Sequence, residues 1–252
     1  MCLMAFAWHP GTELPLRLAG NRDERHARPT AALHHWMDSP SILGGRDLEA
    51  GGSWLAGIKG GRVAVLTNVR DMALVTPADA PSRGELVANA LQCDDIEQWL
   101  TDLAHHKADD YAGFNLLVAT PRRLWHLHRG RHGVTLNDVP PGVHGLSNAD
   151  LNSPWPKLQS VRGALEQSSM DNWRYQTGLA LHNSQQASDA QLPDTGVELA
   201  LERQLSAAFI VGETYGTRAT TWLTLNQQGH IAITEQRFGP LGRFEGETTL
   251  SV

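Results

Sequence analysis

The second residue of the chain is a cysteine, Cys2, directly after Met1. Initiator methionine is normally trimmed when a small residue follows, which leaves a thiol and a free α-amino group on one residue. The amine has an ordinary pKa of about 7.7–8.0. It is therefore suited to take the thiol proton and return it to a leaving amine. The thiolate is the stronger nucleophile, so the pair is self-sufficient for acyl transfer. Cys2 alone reads as an ordinary buried residue, but four further features give it company. Asn21-Arg22-Asp23-Glu24 is a dense polar cluster beside an N-terminal strand. An arginine there lowers a thiol pKa, and an aspartate holds an α-amino group by a charge-assisted hydrogen bond. Asn68 and Asn148 each end an apolar strand and offer the neutral donors of an oxyanion hole. Arg218, opening a late strand, can orient an anionic group through its planar fork.

These residues need strands whose tips meet. Residues 2–8 are a short apolar run closed by His9-Pro10-Gly11-Thr12, which predicts a strand and a turn. Residues 14–19 resume with Leu14, Leu16 and Leu18 on one face, so the two make a hairpin with the polar cluster at its strand end. Residues 62–68 form an apolar, β-branched strand with Asn68 at its exit. Ser82-Arg83-Gly84-Glu85 matches a capping box, followed by a helical stripe of Leu86, Val87, Ala90 and Leu91. Residues 94–106 place Ile96, Trp99, Leu100 and Leu103 on one helical face. Cys93, between these helices, reads as a small packing residue. Strands return over 114–119, 124–128 and 143–148, and helices over 156–166, 173–182 and 197–205. Residues 184–195 are polar and Pro-containing and predict a mobile loop. Strands over 217–225 and 230–238 close the chain. Strands on both sides of a central helical block predict two packed sheets with helices outside, in one domain over residues 1–252.

The composition, 41% hydrophobic and 19% charged over 252 residues, supports a full core and excludes global disorder. A formal net charge of -6 argues against nucleic-acid binding by counterion release. Two distant cysteines make no disulfide framework and point to a reducing compartment. No apolar run of about 18 residues occurs and no basic n-region precedes the first strand. The expectation is a cytoplasmic protein without stable membrane insertion. Among twelve histidines, His34-His35 and His105-His106 are adjacent pairs facing apart. His126 and His128 share a strand face, with His132 just beyond, and could ligate a metal. No matching carboxylate or thiolate pattern accompanies them, so solvated surface histidines and no metal are expected. Covalent haem attachment is excluded by the lack of Cys-x-x-Cys-His, while an axial His or Met is not legible.

The tetrad Asn21-Arg22-Asp23-Glu24 after an N-terminal Met-Cys resembles the NRDE family, also called the transport and Golgi organisation 2 family. The resemblance continues through Gly44-Gly45-Arg46-Asp47, Gly51-Gly52-Ser53-Trp54-Leu55 and Leu66-Thr67-Asn68-Val69-Arg70. It extends through Ser82-Arg83-Gly84-Glu85, Gly113-Phe114-Asn115-Leu116-Leu117 and Gly145-Leu146-Ser147-Asn148-Ala149 to Pro154-Trp155-Pro156-Lys157 and Tyr215-Gly216-Thr217-Arg218, in order along nearly the whole chain. That family in turn resembles the N-terminal-nucleophile (Ntn) hydrolases that cleave bile-salt and penicillin amides. The resemblance implies an α+β, αββα four-layer sandwich of two mainly antiparallel sheets. It also implies roles: Cys2 as nucleophile and base carrier, Asp23 holding the amine, Asn68 and Asn148 as oxyanion or orienting groups, and Arg218 stabilising the site. Asn21, Arg22 and Arg46 become substrate-binding groups. The amide hydrolases place an arginine a few residues before the aspartate, whereas Arg22 adjoins Asp23, so either Asn21 or Arg22 faces the thiol. The implied activity is hydrolysis or acyl transfer on a small-molecule amide or thioester, with no required cofactor. The alternative is a non-catalytic protein that binds or traffics haem or acyl-CoA in the same cavity. Neither the substrate nor the oligomeric state follows from the residues.

Overall fold

In the structure, a computed structural model describing residues 2–252, β1 (Cys2–Trp8) is buried along its whole length. It is a central strand, flanked by β2 (Leu16–Arg25) and β10 (Gly142–Leu146), both antiparallel. A strand covered on both faces reads as a continuous apolar run rather than an alternating one. The first sheet has the order β10-β1-β2-β11-β12-β13, completed by β11 (Tyr215–Leu225), β12 (Ile231–Phe238) and β13 (Phe244–Ser251). The second sheet is a meander in chain order: β3 (Thr30–Trp36), β4 (Ser39–Asp47), β5 (Leu55–Ile58), β6 (Arg62–Asn68), β7 (Phe114–Ala119), β8 (Leu124–Gly130) and β9 (Gly133–Asp138).

Period-two alternation sorts the strand residues between layers. Met4, Phe6 and Trp8 point between the sheets, where they pack with Leu18, Leu223 and Ile233 against Leu43, Leu55, Val65 and Leu117. Leu3, Ala5 and Ala7 point outward onto α3 (Pro156–Glu166) and α4 (Trp173–Leu181), meeting Leu158, Val161 and Leu181. On the far side, α1 (Glu85–Gln92) and α2 (Ile96–Asp102) bury Leu86, Val87, Ala90 and Leu100 against Ala64, Leu116 and Leu127. The result is the expected α+β order of helix, sheet, sheet, helix. Among the described residues no helix is long and apolar enough to cross a membrane.

Several local expectations change. The polar tetrad does not follow a strand; it lies inside β2, paired on one side with β1 and on the other with β11. Ser82 does not cap α1, whose N-cap is Gly84 with no side-chain bond. Instead the Glu85 carboxylate accepts a hydrogen bond from the Tyr111 hydroxyl at 2.6 Å. The helix expected over 94–106 is regular only to Asp102, capped by the Asp95 carboxylate, and then widens into a π turn over Leu103–Lys107. The stretch 184–195 is not a free loop. Its end is fastened by the Glu202 carboxylate of α5 (Leu199–Ser206), which accepts from Thr195 N at 3.0 Å and from Thr195 Oγ1.

Candidate active site

The register of β1 on β2 places Cys2 directly opposite Arg22 and Leu3 opposite Asn21. Facing residues on antiparallel strands share a sheet face. Arg22, not Asn21, is therefore the partner of the thiol. Asn21 lies on the outward face, where its Nδ2 donates to the carbonyls of Leu181 and Ala208, both at 2.8 Å. Its Oδ1 accepts from Thr220 Oγ1 at 2.7 Å. It staples the helical layer to the sheet and does not reach the thiol.

Cys2, Arg22, Asp23 and Asn68 come together in one cavity of about 450 Å³. Strands β1, β2 and β6 supply these four residues, the turn before β5 supplies Ser53 and Trp54, and the Pro/Ala-rich segment 76–84 forms the opposite wall. That wall is held by close backbone approach. A Cβ on Gly52 would sit 2.3 Å from the Gly84 carbonyl carbon, so only glycine lets the two turns meet.

Burial pushes the Cys2 thiol pKa up, and the Asp23 and Glu24 carboxylates push the same way while Arg22 pulls it down. The resting sulfur is thus a thiol, and a thiolate requires a base at the site. Asp23 is 1% exposed. Its Oδ1 accepts from Thr217 Oγ1 at 2.7 Å, and that hydroxyl accepts from Ile210 N at 2.9 Å. Met1 and its removal, which the α-amine role of Cys2 requires, lie outside the described residues.

Two guanidinium groups border the thiol. Arg22 is buried at 6% exposure, lies 4.5 Å over the Trp54 ring, and sits 3.9 Å from Glu24. Its Nη1 is buried without a hydrogen-bond partner. Arg83 donates from Nη1 to the Gly113 carbonyl at 3.0 Å. Burial lowers its pKa, and the neighbouring Cys2 and Glu24 oppose that shift. Arg28, also on the cavity wall, is engaged by Asp47 at 2.7 Å and Glu49 at 3.2 Å.

The remaining expected residues are placed differently. Asn148 is fully buried beside the cavity, where its Nδ2 donates to the Asn68 carbonyl at 2.8 Å. It fixes the backbone of Asn68 and does not line the cavity. Its neighbour Ser147 donates to the Cys2 carbonyl at 3.0 Å. Arg218 sits at a bulge of β11 opposite the Arg22–Asp23 step. It donates to the Arg28 carbonyl at 2.7 Å and lines a second cavity of about 210 Å³ on the other side of Arg22 and Trp54. Arg46 is on the second sheet, paired with Asp38 at 2.6 Å and stacked 4.3 Å over Trp36, and reaches neither cavity.

Three residues near the site carried no separate signal. Tyr215 has its phenol pKa raised by burial and then by Asp23 and Cys2, so it stays protonated beside them. Lys157 is buried, its Nζ donating to the Leu205 carbonyl at 2.7 Å. Burial lowers its pKa to about 8, partly opposed by Asp23. Arg70 pairs with Glu202 at 2.8 Å and stacks 5.1 Å over Trp155. All three stand in motifs already conspicuous in the sequence, yet only the tertiary fold brings Lys157 and Tyr215 near Asp23 and Arg70 near Tyr215.

His126 is not a solvated surface residue. It is 3% exposed, and with His128 it converges on Asn115, whose Oδ1 accepts at 2.9 and 2.7 Å.

A family model described as Transport and Golgi organisation 2 matches residues 1–240. The chain is 33% identical to the mouse Transport and Golgi organization 2 homolog, over 94% of this chain and 92% of that one. It is 32% identical to the human homolog over the same shares. Among solved structures, a mutant of the conjugated bile acid hydrolase from Clostridium perfringens is similar with a TM-score of 0.48 and 7% identity. That match covers 99% of this chain and 92% of that one. A Caenorhabditis elegans ortholog of N-acylethanolamine-hydrolyzing acid amidase is similar with a TM-score of 0.44 and 9% identity, covering 71% and 85%.

Proposed function

The chain belongs to the transport and Golgi organisation 2 family, and on that premise we propose that Cys2 is the nucleophile of an Ntn-type hydrolase or acyltransferase. Its substrate is an anionic small-molecule amide or thioester. The observation that carries this reading is the convergence of Cys2, Arg22, Asp23 and Asn68 from three strands on one cavity.

With Met1 removed, the α-amino group of Cys2 accepts the thiol proton, and Asp23 holds the resulting ammonium. The sulfur attacks the substrate carbonyl, forming a C–S bond and an oxyanion. Asn68, fixed by Asn148, supplies the neutral donor. Collapse breaks the C–N or C–S bond to the leaving group, which takes the proton from the ammonium. Water or an acceptor alcohol or amine then resolves the acyl-enzyme. Arg22 Nη1 and Arg83 offer donors for a carboxylate, sulfonate or phosphate on the substrate. Both cysteines are free, which suits a reducing, cytoplasmic setting.

A second reading, a carrier of haem or acyl-CoA, draws support from the burial that keeps the thiol protonated. No histidine is among the described residues lining the cavity, so the Cys2 sulfur would have to lose its proton to hold a haem iron there.

Turnover of N-acyl amino acids and acyl thioesters by wild type and Cys2→Ala tests the first reading. Loss of turnover in a folded Cys2→Ala protein supports it, and full turnover ends it. Saturable hemin or acyl-CoA binding without turnover in either protein favours the carrier.

A further inference from the structure

We propose that His126, His128 and Asp150 form a site for one divalent transition-metal ion, which fastens the loop after β10 to β8. One ring nitrogen from each histidine and one carboxylate oxygen of Asp150 lie within 4.8 Å of one another. Such separations can be closed around one ion with bonds of about 2.0–2.2 Å. His126 and His128 are two residues apart on β8, so both face between the sheets, while Trp125 and Leu127 turn outward into the α1–α2 layer. The carboxylate comes from the loop that follows β10, which is why spacing along the sequence did not show it.

The surroundings are built to hold these groups in place. Asn115 Oδ1 accepts from both imidazoles, and its Nδ2 donates to Thr67 Oγ1 at 3.0 Å and to the Ala149 carbonyl at 2.8 Å. The amide is thereby clamped, and its oxygen fixes the ring orientation of both histidines. Asp150 is oriented by Leu151 N, which donates to its Oδ1 at 2.7 Å. Burial falls from His126 through His128 to the exposed Asp150, so an ion enters from solvent through the carboxylate. Two imidazoles and one carboxylate favour a transition metal such as zinc over calcium or magnesium.

The consequence is positional. Ser147, Asn148, Ala149 and Asp150 contact in turn the Cys2 carbonyl, the Asn68 carbonyl, Asn115 and the histidine pair. An ion at Asp150 therefore clamps the segment that holds Asn68 and the Cys2 backbone.

The test uses the full chain after chelator treatment, titrated with Zn²⁺ by calorimetry and with Co²⁺ by visible absorption. The expected result is one ion per chain, Co²⁺ d–d bands without a thiolate charge-transfer band, and a higher Tm with Zn²⁺. His128→Ala and Asp150→Ala should weaken binding by more than about tenfold, while His132→Ala and Cys2→Ser retain it. Asp150 is exposed, so its variant keeps the fold, which circular dichroism verifies. Absence of saturable binding, undiminished binding in both variants, or a thiolate band that disappears in Cys2→Ser would each overturn the proposal.

Discussion

At the scale of single residues, the site sets two opposing charges on one sulfur. Arg22 stabilises the thiolate while Asp23 and burial oppose it. Arg22→Met should therefore slow alkylation of Cys2 by iodoacetamide at fixed pH by about threefold or more, because less thiolate is present. Asp23→Asn should speed alkylation by removing a negative neighbour, yet lower turnover because the ammonium loses its holder. Loss of fold would also expose the thiol and speed alkylation, so circular dichroism must show the Asp23→Asn protein folded as wild type. Lys157 gives a separate pH signature. Its folded pKa, near 8, lies below the ordinary lysine value of 10.5 because burial disfavours the ammonium. Between those values the unfolded chain binds more protons, so stability rises with pH. The contribution is complete above 10.5 and is lost as pH falls through about 8. Denaturant titrations from pH 7 to 10 should show this rise in wild type and a flatter profile in Lys157→Met. Cys2, Asp23 and Asn68 were visible in the sequence because each stands out by type and by strand position. Arg218 and Arg46 stood out equally but point elsewhere, since strand position along a chain does not fix which sheet edge a side chain faces.

At the scale of elements, buried polar residues in β2 decide how the sheet and helices lock together. A run such as Asn-Arg-Asp-Glu reads as a loop because strands rarely carry four polar residues in succession. Here β11 supplies Thr217 and Thr220 opposite the tetrad, and the α4 end supplies a carbonyl to Asn21. The pairing that makes the strand is thus long-range and invisible locally. The same holds for β13, whose largely polar residues carry no apolar run. The Arg70–Glu202 pair, with side chains 9% and 5% exposed, fixes α5 and Thr195 against the site. Glu202→Ala leaves Arg70 without its carboxylate and should cost about 3 kcal/mol or more in chemical denaturation. Arg203→Ala removes the pair with Asp189, whose side chains are 44% and 56% exposed, and should cost less than about 1 kcal/mol. Equal losses in the two variants would contradict the assignment of Glu202 as the anchor.

At the scale of the molecule, the continuous apolar runs of β1, β6 and β7 made the layered plan legible, since each strand had to be covered on both faces. The join between sheets was not legible. It includes the contact of the turn before β6 with the turn before β12, where a Cβ on Gly61 would lie 2.5 Å from Gly229 Cα. Gly61 also has φ +88, a conformation that side chains disfavour. Gly61→Ala should lower stability by at least about 1 kcal/mol, read as a drop in Tm. The layered plan serves one purpose in this account: it delivers the Cys2 sulfur from β1 and its partners from β2 and β6 to a common cavity. The most direct test is intact-mass spectrometry with peptide mapping after treatment with a thiol-directed acylating probe. The account predicts a chain beginning at Cys2, one adduct on that residue, and slower labelling of Cys93. A chain retaining Met1, or labelling on Cys93 alone, would contradict it.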